Sequence, residues 1–317
     1  MLLYLIRRVL YVVPIALSVS LVCFLLVHIA PGDPISAILP PDAPADVIAR
    51  VRQIYGLDRA LPVQFGIWLG HVITGDLGKS LATGRAIWPE LAVAMQNTAA
   101  LAAAASLIGF SLGCILGGLA AAFAGTWIDR ASVTVAVAGV SVPHYWLGMV
   151  LVILFSVLLN LLPATGSAPN GMPNLGLDWA HLRYMLLPAV TLSVIPMGIV
   201  TRTVRGIVSD VLSQDFITTL RGKGLRRFGI FLHVLKNAAP NALAVMGLQL
   251  GYLMGGSILV ETVFNWPGTG LLLNNAIFQR DIPVLQATIL VLSLFFVALN
   301  LCVDLLQTAI DPRIRRV

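Results

Sequence analysis

The sequence predicts an all-α integral membrane protein with six transmembrane helices, and its composition is the first reason. Of the 317 residues, 58% are hydrophobic and only 11% are charged, whereas a soluble globular domain carries about 25% charged residues. The mean hydropathy is +0.91. This composition argues against a soluble globular domain. It also argues against a disordered chain, because disorder needs low hydrophobicity and high charge.

Six apolar runs are the second reason, because a helix that crosses a bilayer needs about 20 mostly apolar residues. The first run is longer than the apolar core of a signal peptide, which has about 7–15 residues, so we expect an uncleaved helix. The fourth is short and interrupted by Pro188 and Pro196. We still expect it to span, because the long polar stretches beside it need opposite faces of the membrane. The six runs are 9–30, 98–124, 132–162, 185–203, 239–262 and 284–306.

The positions of the basic residues predict the orientation. If both termini lie in the cytoplasm, 13 of the 20 Lys and Arg residues fall in cytoplasmic segments, as the positive-inside rule requires. The net charge of +6 then needs no nucleic-acid partner, because anionic lipids of the inner leaflet attract these residues.

The long outer segment 31–97 predicts a helical extracytoplasmic subdomain. Asp46 can cap one amphipathic helix and Gly56 can end it, and Pro62 opens a second pattern of the same period. Whether these helices pack on a partner or lie in the membrane interface stays open at this stage.

Gly78-Lys79-Ser80 in this outer segment resembles the end of a nucleotide-binding loop. That loop needs another glycine five residues earlier, where this sequence has Ile73. The outer side of the membrane also has no ATP pool, so we reject nucleotide binding here. Nothing else in the sequence can hold a triphosphate. If transport is driven by ATP, the ATPase is therefore another polypeptide.

Small residues recur every four positions in two of the predicted spans, which lets helix backbones approach closely. Such stripes serve packing within one chain or an interface between subunits, and the sequence leaves both open. They include Gly109, Gly113 and Gly117 in the second span, and Gly247, Gly251 and Gly255 in the fifth.

No residue pattern typical of a catalytic or metal site is present in the sequence. The five histidines make no pair at i, i+4, and Cys23, Cys114 and Cys302 lie in separate apolar runs. Ion-coupled carriers usually place several polar groups near the membrane midplane, which this sequence does not. We therefore expect a transport subunit rather than an enzyme, with no metal and no cofactor of its own.

Polar side chains inside the spans are the candidates for lining a translocation path. Glu261 and Asp304 lie near the ends of the fifth and sixth spans, and helix anchoring is their alternative role. A polar and aromatic group follows Pro143 in the third span, where packing at a helix kink is the alternative. The pore-lining candidates are His144, Tyr145, Gln249 and Glu261.

The cytoplasmic loop 204–238 is the most informative stretch. Its core reads D-F-I-T-T-L-R-G-K-G-L, with basic residues on both sides. Phe216, Thr219 and Leu220 fall on one helical face, and Gly224 is expected to end that helix. A short helix with an apolar face suits docking into a groove on another protein. A basic loop held at lipid headgroups is the alternative.

This loop resembles the coupling ("EAA") loop of ABC importer permeases in its peptide-transport version, D-[FY]-[VI]-x-T-A-[RK]-A-K-G-L followed by H-A-L-[RK]-N-A. Thr218, Thr219 and Leu220 stand at the E-A-A positions and Gly224 at the glycine, while Leu220 and Gly222 replace alanines. The resemblance runs from end to end. It includes Ala30-Pro31-Gly32-Asp33-Pro34, Gly75-Asp76-Leu77-Gly78-Lys79-Ser80, Glu261-Thr262-Val263-Phe264-Asn265-Trp266-Pro267-Gly268 and Asp311-Pro312-Arg313-Ile314-Arg315.

On these motifs the chain is identified as a member of the dipeptide/oligopeptide/nickel ABC importer permease family, as its first (B-type) membrane subunit. The resemblance implies a type I ABC importer (MetI-like) transmembrane domain in the bacterial inner membrane. It also implies a second homologous permease subunit, two cytoplasmic ABC ATPase subunits that bind Mg-ATP, and an extracytoplasmic solute-binding protein. The coupling residues would be Asp215, Thr218, Thr219, Leu220, Arg221, Lys223 and Gly224.

The expected function is to form half of the pore through which an ATP-driven importer carries di- or oligopeptides. Nickel chelates, glutathione or another small solute are the alternative cargo, and a self-sufficient secondary carrier is a less favoured class. The expected domains are an N-terminal transmembrane helix, 1–30; the extracytoplasmic helical loop, 31–97; the core permease domain with its coupling loop, 98–308; and a cytoplasmic tail, 309–317.

Overall fold

The computed structural model describes residues 2–29, 43–54, 58–168 and 178–310, and regular structure within these ranges is helical. The helices are α1 (Leu2–Ile29), α2 (Ala45–Ile54), α3 (Leu61–Ile73), α4 (Ile87–Ala122), α5 (Trp127–Ser141), α6 (His144–Leu151), a π-helical segment (Val152–Leu158), α7 (Trp179–Leu212), α8 (Asp215–Gly222), α9 (Arg227–Gly256), α10 (Ile258–Val263), α11 (Thr269–Gln279) and α12 (Ile282–Ile310). The predicted helix end at Gly56 and the motifs at 30–34 and 311–315 lie outside the described residues.

The prediction of an all-α membrane protein is confirmed. By length and apolar composition, three of the described helices can cross a membrane: α4, α7 and the Ile282–Val303 part of α12. The bent pair formed by α5 and α6, with its π-helical continuation, would be a fourth. The described apolar part of α1, Leu10–Leu25, is shorter.

The third predicted run forms two helices because Pro143 interrupts it. α5 ends at Ser141, α6 begins at His144, and the two are bent by 98°. Proline has no backbone N–H and cannot continue the helical hydrogen bonds. The sequence predicts the interruption here, and the structure shows that the chain turns almost at a right angle.

The fourth run is longer and more regular than its sequence indicates. α7 has 34 residues, and Pro188 and Pro196 lie inside it without ending it. Both prolines are buried, and neighbouring helices make such prolines tolerable in membrane helices. The two prolines thus interrupt the apolar run in the sequence but not the helix, and the expectation that this run can span a membrane is confirmed. The residues after position 203 are more polar, so hydropathy alone does not show where α7 ends. They continue the same helix to Leu212.

By its internal contacts the chain divides into two compact units. The first contains 1–97 and 267–297, and the second contains 98–266 and 298–317. In the first unit, α3 lies against α1: the ring centroids of Phe24 and Phe65 are 5.4 Å apart, and those of Phe24 and Trp68 are 5.9 Å apart. α3 has no buried residue.

The P-loop-like stretch of this first unit builds a hydrogen-bonded turn. Gly75 and Gly78 have φ values of +82° and +81°, which glycine adopts at little cost. The hydroxyl of Ser80 donates a 2.5 Å hydrogen bond to the Asp281 carboxylate. That carboxylate also accepts bonds from the backbone N–H groups of Leu81, Ala82 and Val284. The motif therefore serves the local fold of this unit.

In the second unit α7 is central and packs against α5, α6, α9 and α10. α4 also lies against α7 without intervening side chains: a Cβ at Gly109 would lie 2.7 Å from the carbonyl oxygen of Ser193, and one at Gly117 would lie 2.6 Å from that of Thr201. Gly247 of α9 instead receives the side chain of Val303 of α12, whose Cγ1 would overlap a Cβ at Gly247. These glycines pack within the chain, whereas the Cβ position of Gly255 meets nothing within 4 Å.

Candidate functional site

The predicted coupling segment folds as the short helix α8 between the ends of α7 and α9. Only Ser213 and Gln214 separate it from α7. Ile217 is completely buried, and it packs with Val211 of α7 and Val234 of α9 in a small apolar core. Because one core joins all three helices, α8 is fixed to the ends of two long helices.

The solvent-exposed side of α8 is polar. Phe216 and Leu220 are half-buried and pack on the Ile217 core. The face predicted to dock therefore points partly into its own chain, and only Thr219 of that face is fully exposed. Sequence analysis missed Ile217, although its spacing from Val211 and from the apolar start of α9 is a signal for it. The exposed coupling candidates are Asp215, Thr218, Thr219, Arg221, Lys223 and Gly224.

Gly224 ends α8 as its position in the motif predicts. Its φ is +75°, in the left-handed region that favours glycine. Its N–H donates to the Arg221 carbonyl at 2.9 Å, and the N–H of Leu225 donates to the Leu220 carbonyl at 3.2 Å. This pair of bonds is the Schellman motif, which satisfies the last carbonyls of a helix. The turn out of α8 is thus sharp and defined.

Two exposed aromatic residues lie at the start of α9, a few residues after the end of α8. The rings of Phe228 and Phe231 stack with centroids 6.3 Å apart, and the two residues are 70% and 56% exposed. They follow the exposed cations Arg226 and Arg227. Sequence analysis passed over them, although an i, i+3 pair of aromatics after two arginines is a visible signal.

The pore-lining candidates lie on α6, α9 and α10, all within the second unit. His144 is the first residue of α6 and is half-buried, and Tyr145 next to it is exposed. Two buried polar atoms, Nε2 of His144 and Oε1 of Gln249, have no hydrogen-bond partner among the described residues. Buried polar atoms are normally paired with protein, water or ligand, so these two atoms fit a polar path.

Glu261 of α10 is oriented differently from the other three. Its side chain is completely buried, and the Thr98 hydroxyl donates a 2.8 Å hydrogen bond to Oε1. Thr98 is completely buried as well. In this conformation the Glu261 carboxylate exposes no surface, so its role in lining a pore stays a prediction.

An ion pair between Asp129 and Arg205 is the main feature that sequence analysis missed. Arg205 donates from Nε to Oδ1 at 2.6 Å and from Nη2 to Oδ2 at 2.8 Å. Asp129 lies in the first turn of α5, in the short connection 125–131 between two predicted spans. The hydrogen bonds from Arg205 and from the Gly125 N–H hold the pKa of Asp129 at about 2. Both partners are therefore charged at physiological pH.

Metal binding has no support within the described ranges, where no group of three or more His, Cys, Asp or Glu side chains could hold a metal ion.

Known protein families match nearly the whole length of the chain. A family model described as "Binding-protein-dependent transport system inner membrane component" matches residues 109–316, and a model of its N-terminal part matches residues 1–106. The chain is similar to the glutathione transport system permease protein GsiC of Salmonella choleraesuis (strain SC-B67), with 42% identity over 316 residues and 99% of each chain covered. GsiC of Escherichia coli (strain K12) is 41% identical over the same length and coverage.

Among solved structures, the chain resembles one from the inward-facing MetNI methionine ABC transporter. The TM-score is 0.57 and the identity is 17%, over 70% of this chain and 96% of that one. At this identity the likeness concerns the fold alone. It confirms the predicted type I, MetI-like importer fold.

Proposed function

The chain belongs to the family of binding-protein-dependent transport system inner membrane components, and from that premise we propose its place in the transporter. It is a permease subunit of an ABC importer, a multi-pass inner-membrane protein that transports and is not an enzyme. It works with other subunits of the importer. Within that importer, we propose that it is the first (B-type) membrane subunit and forms half of a translocation pore for di- or oligopeptides.

The proposed partners are a second homologous permease, two cytoplasmic ABC ATPase subunits and an extracytoplasmic solute-binding protein. The proposed orientation puts both termini in the cytoplasm, and with them α8 and the cations around it. This orientation is supported by the bias of Lys and Arg, because 13 of 20 would lie on the cytoplasmic side.

The observation that carries the proposal is the fixed position of α8. Its Ile217 side is buried against α7 and α9, while its polar side is exposed. When the ATPases close on ATP, a force on the exposed side moves the ends of two long helices together, because one core joins them. Rigid-body motion of that kind switches the pore between inward- and outward-facing states. The proposed contact residues are Asp215, Thr218, Thr219, Leu220, Arg221, Lys223 and Gly224.

The proposed path for cargo borders His144, Tyr145, Gln249 and, after rearrangement, Glu261. The polar atoms of His144 and Gln249 that have no partner in the described part of the chain support a role on a polar path, since a peptide backbone offers both donors and acceptors. The binding protein selects most of the cargo, so these residues need only tolerate peptides.

Glutathione is the second candidate cargo, because the relatives that are 41–42% identical along their whole length are named glutathione permeases. Glutathione is itself a tripeptide, so a path built for short peptides would also pass it. Nickel chelates remain the alternative outside the peptide class.

Co-purification of the tagged chain from its own membranes tests the coupling role. We expect the wild type to bring down an ATPase and a second permease, and the Arg221→Glu/Lys223→Glu variant to lose the ATPase. The matched control is Lys79→Glu/Arg85→Glu, which reverses two exposed cations of the outer segment and should retain it.

Uptake by proteoliposomes that contain the purified complex and its binding protein then separates the cargo candidates. A labelled dipeptide, a longer peptide, glutathione and a nickel chelate are compared with and without ATP. Peptide-selective, ATP-dependent uptake supports the main proposal. Uptake by the isolated chain without ATP would contradict it and favour a self-sufficient carrier.

A further inference from the structure

Asp129 and Arg205 join the cytoplasmic ends of two helices in the proposed orientation, and the function as described gives them no role. Two parallel bonds of 2.6 and 2.8 Å connect the guanidinium and the carboxylate. The N–H of Gly125 donates a third bond of 3.0 Å to the same carboxylate, which is 5% exposed. A bidentate pair fixes both the distance and the angle between its partners. It therefore ties the turn between α4 and α5 to one position along α7.

The same helices also pack closely at glycines farther along α7. A Cβ at Gly113 of α4 would lie 2.8 Å from Val200 of α7, and a Cβ at Gly139 of α5 would lie 2.9 Å from Val194 of α7. Such contacts keep the backbones close together. The ion pair adds a directional contact to this packing, near the end of α7 that leads to α8.

α7 connects this ion pair directly to the coupling helix. From Arg205 the helix continues without a break to Leu212, a distance of about 10 Å at 1.5 Å per residue. The next helix is α8, which is fixed to the end of α7 through Ile217 and Val211. A displacement of α8 therefore reaches Arg205 through one continuous helix.

We propose that Asp129 and Arg205 are positioning residues that make the α4–α5 turn follow the movement of the coupling helix. This inference rests on the proposed coupling function of α8. The ion pair touches neither ATPase nor cargo. It transmits the displacement of α7 to α4 and α5, so that the three helices switch as one body. Without it, α8 would still bind and release the ATPases, but the α4–α5 turn would no longer follow α7 and the pore would not open fully.

The test uses the complete importer in proteoliposomes with its binding protein and a peptide cargo. The variants are Arg205→Gln and Asp129→Asn, and the matched control is Arg202→Gln, an exposed arginine on the same helix. The measured quantities are assembly, basal ATP hydrolysis, and uptake per ATP hydrolysed. We expect near-normal basal hydrolysis and a loss of uptake per ATP of roughly tenfold, within the usual range for coupled sites. The control should match the wild type.

A merely structural role gives a different result. It lowers the amount of assembled complex and so reduces hydrolysis and uptake together, with an unchanged ratio. That outcome would overturn the proposal. If Arg205→Gln and Asp129→Asn do not assemble, Arg205→Lys is the deciding variant. It keeps the positive charge but loses the bidentate hydrogen-bonding geometry of arginine. If Arg205→Lys lowers the uptake per ATP hydrolysed while basal hydrolysis stays normal, the proposal is supported. If its uptake per ATP hydrolysed equals that of the wild type, the proposal is overturned.

Failure of the underlying function is recognised separately in the wild type. A wild-type complex without ATP-dependent uptake contradicts the coupling function itself. A wild type that couples, with variants that couple equally well, contradicts only the role of the ion pair.

Discussion

Ser80 and Asp281 are 201 residues apart in the chain, and they form a buried hydrogen bond of 2.5 Å. Asp281 lies directly before α12 and is 3% exposed. Its two oxygens accept bonds from the Ser80 hydroxyl and from three backbone N–H groups. One carboxylate thus holds the turn after the GDLGKS stretch against the start of the last helix.

Replacing Asp281 by Ala should destabilise the turn around Ser80. Four donors would lose their acceptor inside the protein, and each unsatisfied buried donor carries a cost, so we expect a loss on the order of 3 kcal/mol. Thermal unfolding in detergent measures it, and limited proteolysis should show cleavage near residues 80–86. Asp76→Ala is the control, because Asp76 is exposed and accepts one bond, from the Gly78 N–H. Equal unfolding temperatures for the two variants would contradict this account.

Gly222 and Gly224 should respond in opposite ways to the same substitution. Gly224 has φ +75°, so Gly224→Ala should cost about 1–2 kcal/mol and disturb the end of α8. Gly222 lies in α8 with nothing within 4 Å of its Cβ position, so Gly222→Ala should stabilise the helix by up to about 1 kcal/mol. The co-purified ATPase should decrease with the first change and persist with the second. Equal behaviour would contradict the assigned helix end.

Gly117 and Gly118 of α4 are neighbours with different surroundings. A Cβ at Gly117 would meet the Thr201 carbonyl oxygen and Val204, whereas one at Gly118 meets nothing within 4 Å. We expect Gly117→Ala to cost about 1–3 kcal/mol through overpacking. Gly118→Ala should be neutral or slightly stabilising, since alanine favours helix. Unfolding of the two variants under identical detergent conditions distinguishes them, and a loss at Gly118 alone would contradict the packing described.

Gln249 offers a test of the proposed path. Its Oε1 is buried without a partner among the described residues, and removing an unsatisfied polar group relieves a cost of about 1–3 kcal/mol. We therefore expect Gln249→Leu to raise the unfolding temperature while it lowers uptake at normal basal ATP hydrolysis. A variant that is both more stable and fully active would show that Gln249 does not contact cargo.

The sequence predicts the helix α8 well because its signals are local. The motif from Asp215 to Gly224 contains its own end, a glycine in a left-handed conformation. The apolar runs and the interruption at Pro143 are also local signals. They give the existence of the helices, but not the 98° bend, which depends on what the two halves pack against.

Long-range polar contacts were not predictable in the same way. In the sequence, Arg205 is one of many basic residues in the predicted cytoplasmic segments. Its pairing with Asp129 depends on the packing of α5 against α7. α11 was missed because 269–279 contains Asn274 and Asn275 and is not a strongly apolar run. Ile217 was assigned no role because one apolar residue in a polar segment does not reveal which helix covers it.

The separation of Ser80 from Asp281 sets an order of events in time. A ribosome adds roughly 5–20 residues per second. Ser80 therefore waits about 10–40 s for Asp281 to be made, 201 residues later. During that interval the turn around Ser80 has no carboxylate to hold it, while most of the helices are already synthesised. The turn around Ser80 can therefore be completed only after most of the helices have been made.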